Sequence, residues 1–140
     1  MIEFNSQNEF KLDKEDQVLN WLNSVAEMEN HQVGELGYVF CSDEYLLDIN
    51  IQYLDHDTYT DIVTFDYKEG TVLNGEMYIS TDRVADNAEQ FSVSFDSELR
   101  RVMVHGLLHM CGFGDKTDED AKLMRAKEDE YLKLWDERFA

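Results

Sequence analysis

Residues 105–115 read HGLLHMCGFGD, from His105 to Asp115. Histidines four apart on a helix share one face, one turn above the other. His105 and His109 can therefore turn two imidazoles onto one ion, the spacing that helical zinc sites use. Gly112 and Gly114 permit the chain to stop and reverse, and Asp115 is the first strong ligand after them. A set of two histidines and one aspartate leaves a fourth position open for water, the arrangement of a catalytic zinc site. Asp115 also reads as a capping or solvated loop residue. Asp118 competes with it as a ligand, although Thr117 and Asp118 suit the start of the next helix. In the H-E-x-x-H peptidases a glutamate beside the first histidine is the general base. Gly106 stands there and cannot move a proton, which disfavours a peptidase of that kind. Cys111 lies two residues past His109, a spacing that turns it away on a helix, and it reads as core.

Working outward, Ser94 or Asp96 caps the helix that carries the two histidines, and Leu99, Val102, Met103 and Met110 give it an apolar stripe. A last helix opens at Thr117-x-x-Asp120, a variant of the capping box, and presents Met124, Tyr131 and Trp135 to the core. Upstream, residues 1–4 read as a short strand. A helix capped by Asp13 carries Val18, Leu22, Val25 and Ala26. Gly37 to Cys41 reads as a strand bounded by Gly34 and Ser42, and Ser42 caps a helix with Leu46, Leu47, Ile49 and Tyr53. Thr60 to Tyr67 is rich in β-branched and aromatic residues and reads as a strand. Asn74-Gly75 is a hairpin-type turn signal before a further strand at residues 76–80, and the two strands are expected to pair antiparallel. Asp82 to about Phe91 reads as helix. Strands and helices intermingle, so the expected fold is α+β, with a mixed sheet of about four strands covered by helices in one domain spanning residues 1–140.

The chain has 140 residues, a formal net charge of -19 and an apolar fraction of 43%, values that suit one globular domain with a real core. No apolar run approaches the roughly 20 residues that span a bilayer. The N-terminus lacks the basic and apolar regions of a signal peptide, so a cytoplasmic location is expected. Two cysteines, Cys41 and Cys111, make no disulfide framework. The acidity argues against simple charge-driven binding of nucleic acid, but it is uneven. Residues 1–80 carry three basic and seventeen acidic groups, and residues 81–140 carry nine and fourteen. Arg83, Arg100 and Arg101 read either as phosphate contacts or as ion-paired helix residues.

The stretch from His105 also resembles the YbeY endoribonuclease, or rRNA maturation factor, family, whose motif reads H-G-x-L-H-L-x-G-Y-D-H. His105, Gly106, Leu108, His109, Gly112 and the aromatic Phe113 match it, and Met110 replaces a leucine. Further upstream, residues 49–54 (INIQYL) are similar to the family's L-N-x-x-Y-R, residues 60–65 (TDIVTF) to T-D-V-L-S-F, and residues 75–80 (GEMYIS), followed by Asn87-Ala88, to G-D-I-x-I-S. The resemblance implies cleavage of single-stranded RNA, maturation of small-subunit ribosomal RNA, ribosome quality control, and contact with the ribosome or small-subunit proteins. It implies no membrane partner. Two departures stand out. The family's third ligand is histidine, and Asp115 occupies that place. Zinc accepts carboxylate oxygen, but the added negative charge leaves less net positive charge to acidify a bound water, and the harder donor makes room for Mn2+ or Mg2+. Leu54 stands where the family has an arginine thought to touch substrate. His56 is either a partial substitute or a solvated loop residue between Asp55 and Asp57. Asp61 and Glu98, each near a matched motif, are candidate general bases. Two alternatives stay open: a non-catalytic ribosome-assembly factor with a structural metal, and a metallohydrolase for another phosphoester.

Overall fold

A computed structural model describes residues 1–54 and 59–140. The described elements run β1 (Ile2–Ser6), α1 (Glu15–Met28), β2 (Gln32–Cys41), α2 (Asp43–Leu54), β3 (Ile62–Asp66), β4 (Val72–Ser80), α3 (Thr81–Phe91), α4 (Phe95–Met110) and α5 (Asp118–Arg138). The sheet order is β1-β2-β4-β3. β1 runs parallel to β2 and β2 parallel to β4, while β3 pairs antiparallel with β4. The expected α+β fold with a mixed four-stranded sheet is what the chain adopts.

Strand alternation divides the interior into two layers. Tyr38, Phe40, Met77 and Ile79 face the larger core, which Trp21, Leu22, Leu99, Met103, Leu107, Tyr131 and Trp135 complete from α1, α4 and α5. Cys41, Val63, Phe65 and Tyr78 face the other way, onto Leu46 and Ile49 of α2. α4 runs through the larger core and buries residues on most of its circumference, including Val102, Met103, Val104, Leu107 and Leu108. Two buried polar groups fix its surroundings. The Tyr38 hydroxyl donates to the Met103 carbonyl at 2.9 Å, and the Trp21 indole donates to the Tyr131 carbonyl at 2.8 Å.

Several local readings need correction. Asp13 does not cap α1. Lys14 holds that place in a left-handed conformation (φ 56) without a side-chain cap, and Glu15 and Asp16 supply negative charge to the first turn instead. Asn74-Gly75 is not a turn, because both residues lie inside β4. The reversal from β3 to β4 falls at Glu69–Val72, around Gly70 with φ 59. Asn74 accepts a hydrogen bond from the Glu35 amide at 2.9 Å, across the register shift that Gly34 occupies within β2. Gly75 is required there because a Cβ would stand 2.2 Å from the Phe65 carbonyl oxygen. Tyr53 lies on α2 as read and is exposed, with its ring edge-on to Phe65. The caps Ser42, Ser94 and Thr117 each accept an amide hydrogen bond at the start of their helices, at 3.2, 3.1 and 3.0 Å.

Gly106 sets how closely α4 lies on the sheet. A Cβ at this position would meet the Met77 sulfur at 2.5 Å and the Ile62 Cδ1 at 2.7 Å. Any side chain there requires the ends of Met77 and Ile62 to move aside. Gly106→Ala is expected to destabilise the protein by about 1–3 kcal/mol through overpacking, read as a lower urea midpoint. An unchanged midpoint would mean that the helix–sheet seat is loose.

Candidate metal centre

The seat at Gly106 leaves His105 and His109 at the edge of α4, both part-buried. α4 ends at Met110, and Gly112 takes φ 106, while Gly114 is outside the left-handed region. The reversal brings Asp115 back over the two imidazoles. His105 Nε2 and His109 Nε2 are 3.0 Å apart, His109 Nε2 and Asp115 Oδ2 are 3.3 Å apart, and His105 Nε2 and Asp115 Oδ2 are 3.6 Å apart. Among the described residues, these three form the one cluster of at least three metal-ligating side chains whose donor atoms lie this close together. Bonds of about 2.0–2.1 Å to a tetrahedral zinc ion place its ligand atoms roughly 3.3 Å apart. The three donors fit that spacing without rearrangement.

The donors open into a cleft of about 470 Å3, which Thr60, Asp61, Ile62, Thr64, Asp66 and Met110 also line. α2 reaches its rim through Asn50, whose amide donates to the Thr60 hydroxyl at 3.0 Å. The described lining contains three carboxylates and no lysine or arginine.

A residue that the sequence reading passed over completes the site. Glu128 of α5 is buried, and its Oε2 lies 2.7 Å from His105 Nδ1. Its Oε1 accepts from Arg101 at 2.8 Å, and Arg101 also donates to Asp129 at 2.7 Å. The signal was present in the sequence. Met124, Glu128, Tyr131 and Trp135 fall on one buried stripe of α5, and a carboxylate on a core stripe needs a partner.

Burial and hydrogen bonding compete at each titratable group here. Burial alone would lower the His105 pKa, but the hydrogen bond and charge of Glu128, with Asp61 and Asp115 nearby, raise it overall. Burial alone would raise the Glu128 pKa, but its bonds from His105 and Arg101 bring it below the usual value. Asp61 is raised because burial outweighs His105 and the amides of Asp61 and Ile62. Burial also raises Glu98, against the pull of Arg101.

The other sequence candidates divide clearly. Asp61 lines the cleft and Glu98 does not. Asp118 begins α5, capped by Thr117, outside the cluster. Cys111 packs against the core, and burial pushes its thiol up to about 11, so it offers no thiolate. Arg83 pairs with Asp43 at 2.9 Å and Arg100 lies 4.5 Å over the Trp135 ring, so with Arg101 all three are engaged away from the cleft. Leu54 ends α2, 41% exposed, and His56 lies outside the described residues.

Comparison with known proteins decides the family. The family model described as Endoribonuclease YbeY matches residues 2–136. The chain belongs to this family. It is 53% identical over 135 residues to the endoribonuclease YbeY of Flavobacterium psychrophilum, covering 96% of each chain. It is 51% identical to that of Flavobacterium johnsoniae, covering 96% of this chain and 97% of the relative. A Thermotoga maritima protein solved in solution superimposes with a TM-score of 0.73 at 27% identity, covering 98% of this chain and 91% of the other. Among the described residues, no helix is long and apolar enough to cross a membrane.

The raised His105 pKa has a consequence for stability. A group whose pKa is higher folded than unfolded stabilises the fold fully below its unfolded value, about 6.5 for histidine, and loses that contribution as pH rises through the folded value. Metal-free protein is therefore expected to melt at lower temperature as pH climbs from about 6.5 to 8, with a smaller drop in His105→Asn. A melting temperature that rises over this range would contradict the His105–Glu128 pairing.

Proposed function

We propose that this chain is a metal-dependent, single-strand-specific endoribonuclease. It acts in the cytoplasm on the 3′ end of small-subunit ribosomal RNA and in ribosome quality control, alongside small-subunit proteins. The observation that carries the reading is the triangle of His105, His109 and Asp115 donor atoms, 3.0–3.6 Å on a side, at the floor of an open cleft. The family membership, with relatives named endoribonuclease YbeY, supplies the reaction class.

His105, His109 and Asp115 would hold one ion, with zinc favoured by the imidazole pair and by the fit to tetrahedral spacing. The carboxylate leaves Mn2+ and Mg2+ as competitors. When bound, such an ion supplies positive charge to a phosphoryl oxygen and to the charge that develops there. This cleft needs that charge, since its own lining is acidic and holds no lysine or arginine among the described residues. Asp61, half-buried in the cleft lining with a raised pKa, is the carboxylate best placed to hold a proton taken from the attacking hydroxyl, because a base works best with a pKa drawn toward the working pH.

A second reading has its own support. The net charge of -19 and Leu54 in the place of the family's arginine suit a ribosome-assembly factor that holds a structural metal and cuts nothing. The two readings part on purified protein. The enzyme reading expects about one equivalent of metal by elemental analysis and cleavage of single-stranded RNA that chelator abolishes. It also expects His109→Ala to lose both, which guards against contaminating ribonuclease. Cleavage that persists after complete metal removal would overturn it. The ligand set has a sharper check. Asp115→Ala is expected to lose metal, and Asp115→His to keep zinc at least as well as the parent. Equal metal content in the Ala variant and the parent would remove Asp115 from the site.

A further inference from the structure

We propose that Glu128, which is no ligand itself, is the positioning residue that makes His105 one, so that the last helix is a working part of the metal site. The inference rests on His105 being a ligand, as read above. Neutral imidazole carries one proton on either nitrogen, and only the bare nitrogen can bind a cation. His105 turns Nε2 toward His109 and Asp115 and Nδ1 toward Glu128, 2.7 Å away. A carboxylate can only accept at that distance, so Nδ1 carries the proton and Nε2 is left with its lone pair facing the triangle. Water favours the opposite tautomer for free histidine, which would put a proton where the ion must sit. Glu128 reverses that preference and fixes the ring's rotation, as the carboxylate partners of metal-binding histidines do elsewhere.

The surroundings keep Glu128 in this role. Its side chain is 7% exposed, and Arg101 holds the other oxygen at 2.8 Å with Arg125 3.7 Å away. Both arginines offset the cost of a buried carboxylate. Arg101 comes from α4, one turn before His105, so α4 supplies both the ligand and the clamp on its partner. α5 supplies the carboxylate and, one turn from it, Arg125. Sequence spacing conceals the arrangement, because Glu128 lies 23 residues beyond His105.

The alternative is that Glu128 merely ties α5 to α4. Two variants separate these roles. Glu128→Leu removes the acceptor at His105. Glu128→Gln removes the charge that pairs with Arg101 and keeps a carbonyl oxygen able to accept from His105 Nδ1. Zinc affinity, measured by competition with a chromophoric chelator, is expected to fall about 10–100-fold in Glu128→Leu and to recover to within about threefold of the parent in Glu128→Gln, although both lower the melting temperature. Equal zinc affinity in Glu128→Leu and the parent would overturn the proposal, as would equal losses in the two variants. A second readout needs neither variant nor metal. Long-range proton–nitrogen NMR of the metal-free parent, taken at an alkaline pH where the ring nitrogen shifts report a neutral imidazole, is expected to show the His105 proton on Nδ1. A proton on Nε2 would overturn the proposal even if the parent binds zinc. Failure of the parent to bind zinc would instead sink the metal-site reading, and the tautomer would still test Glu128.

Discussion

The close seating of α4 on the sheet governs most of this structure. At Gly106 the helix backbone lies against Met77 and Ile62, where even a methyl group would clash. That contact, with the burial of Leu99, Met103 and Leu107 on the same helix, seats α4 with His105 and His109 beside it. It also holds the start of β3 beneath the same edge, which places Thr60 and Asp61 on the cleft wall. Glycine beside the first histidine therefore serves packing.

Around that seat the site is assembled from three directions. α4 gives two imidazoles, the reversal after Met110 gives Asp115, and α5 gives Glu128 from the core side. The result is graded from dry to wet. Glu128 is buried, His105 and His109 are part-buried, and Asp115 is the most exposed of the ligand set. Such a gradient lets the interior fix geometry while the outer carboxylate meets solvent. Among the described residues the cleft lining carries three carboxylates and no lysine or arginine, a field that disfavours phosphate unless a cation offsets it.

Much of this was legible in the sequence, for reasons that differ by element. The His105–His109 pair and Asp115 could be read because helical periodicity and a glycine stop are local rules, and three motifs in order named the family. The helix caps Ser42, Ser94 and Thr117 were legible for the same reason. Failures came where a distant strand decided the outcome. Asn74-Gly75 has the chemistry of a turn, yet its glycine answers the Phe65 carbonyl and its asparagine answers Glu35 across the sheet. Asp13 has the chemistry of a cap, but Lys14 takes that position in a left-handed conformation. Glu128 was overlooked because its partner lies on another helix, although an acid within a buried stripe was visible in principle.

Zinc-edge X-ray absorption on the reconstituted protein would test the central claim most directly. The account predicts two imidazole nitrogens, seen by their ring scattering, together with oxygen donors, all at about 2.0–2.1 Å from the metal. A sulfur neighbour at about 2.3 Å, or a shell of oxygens without imidazole, would contradict it.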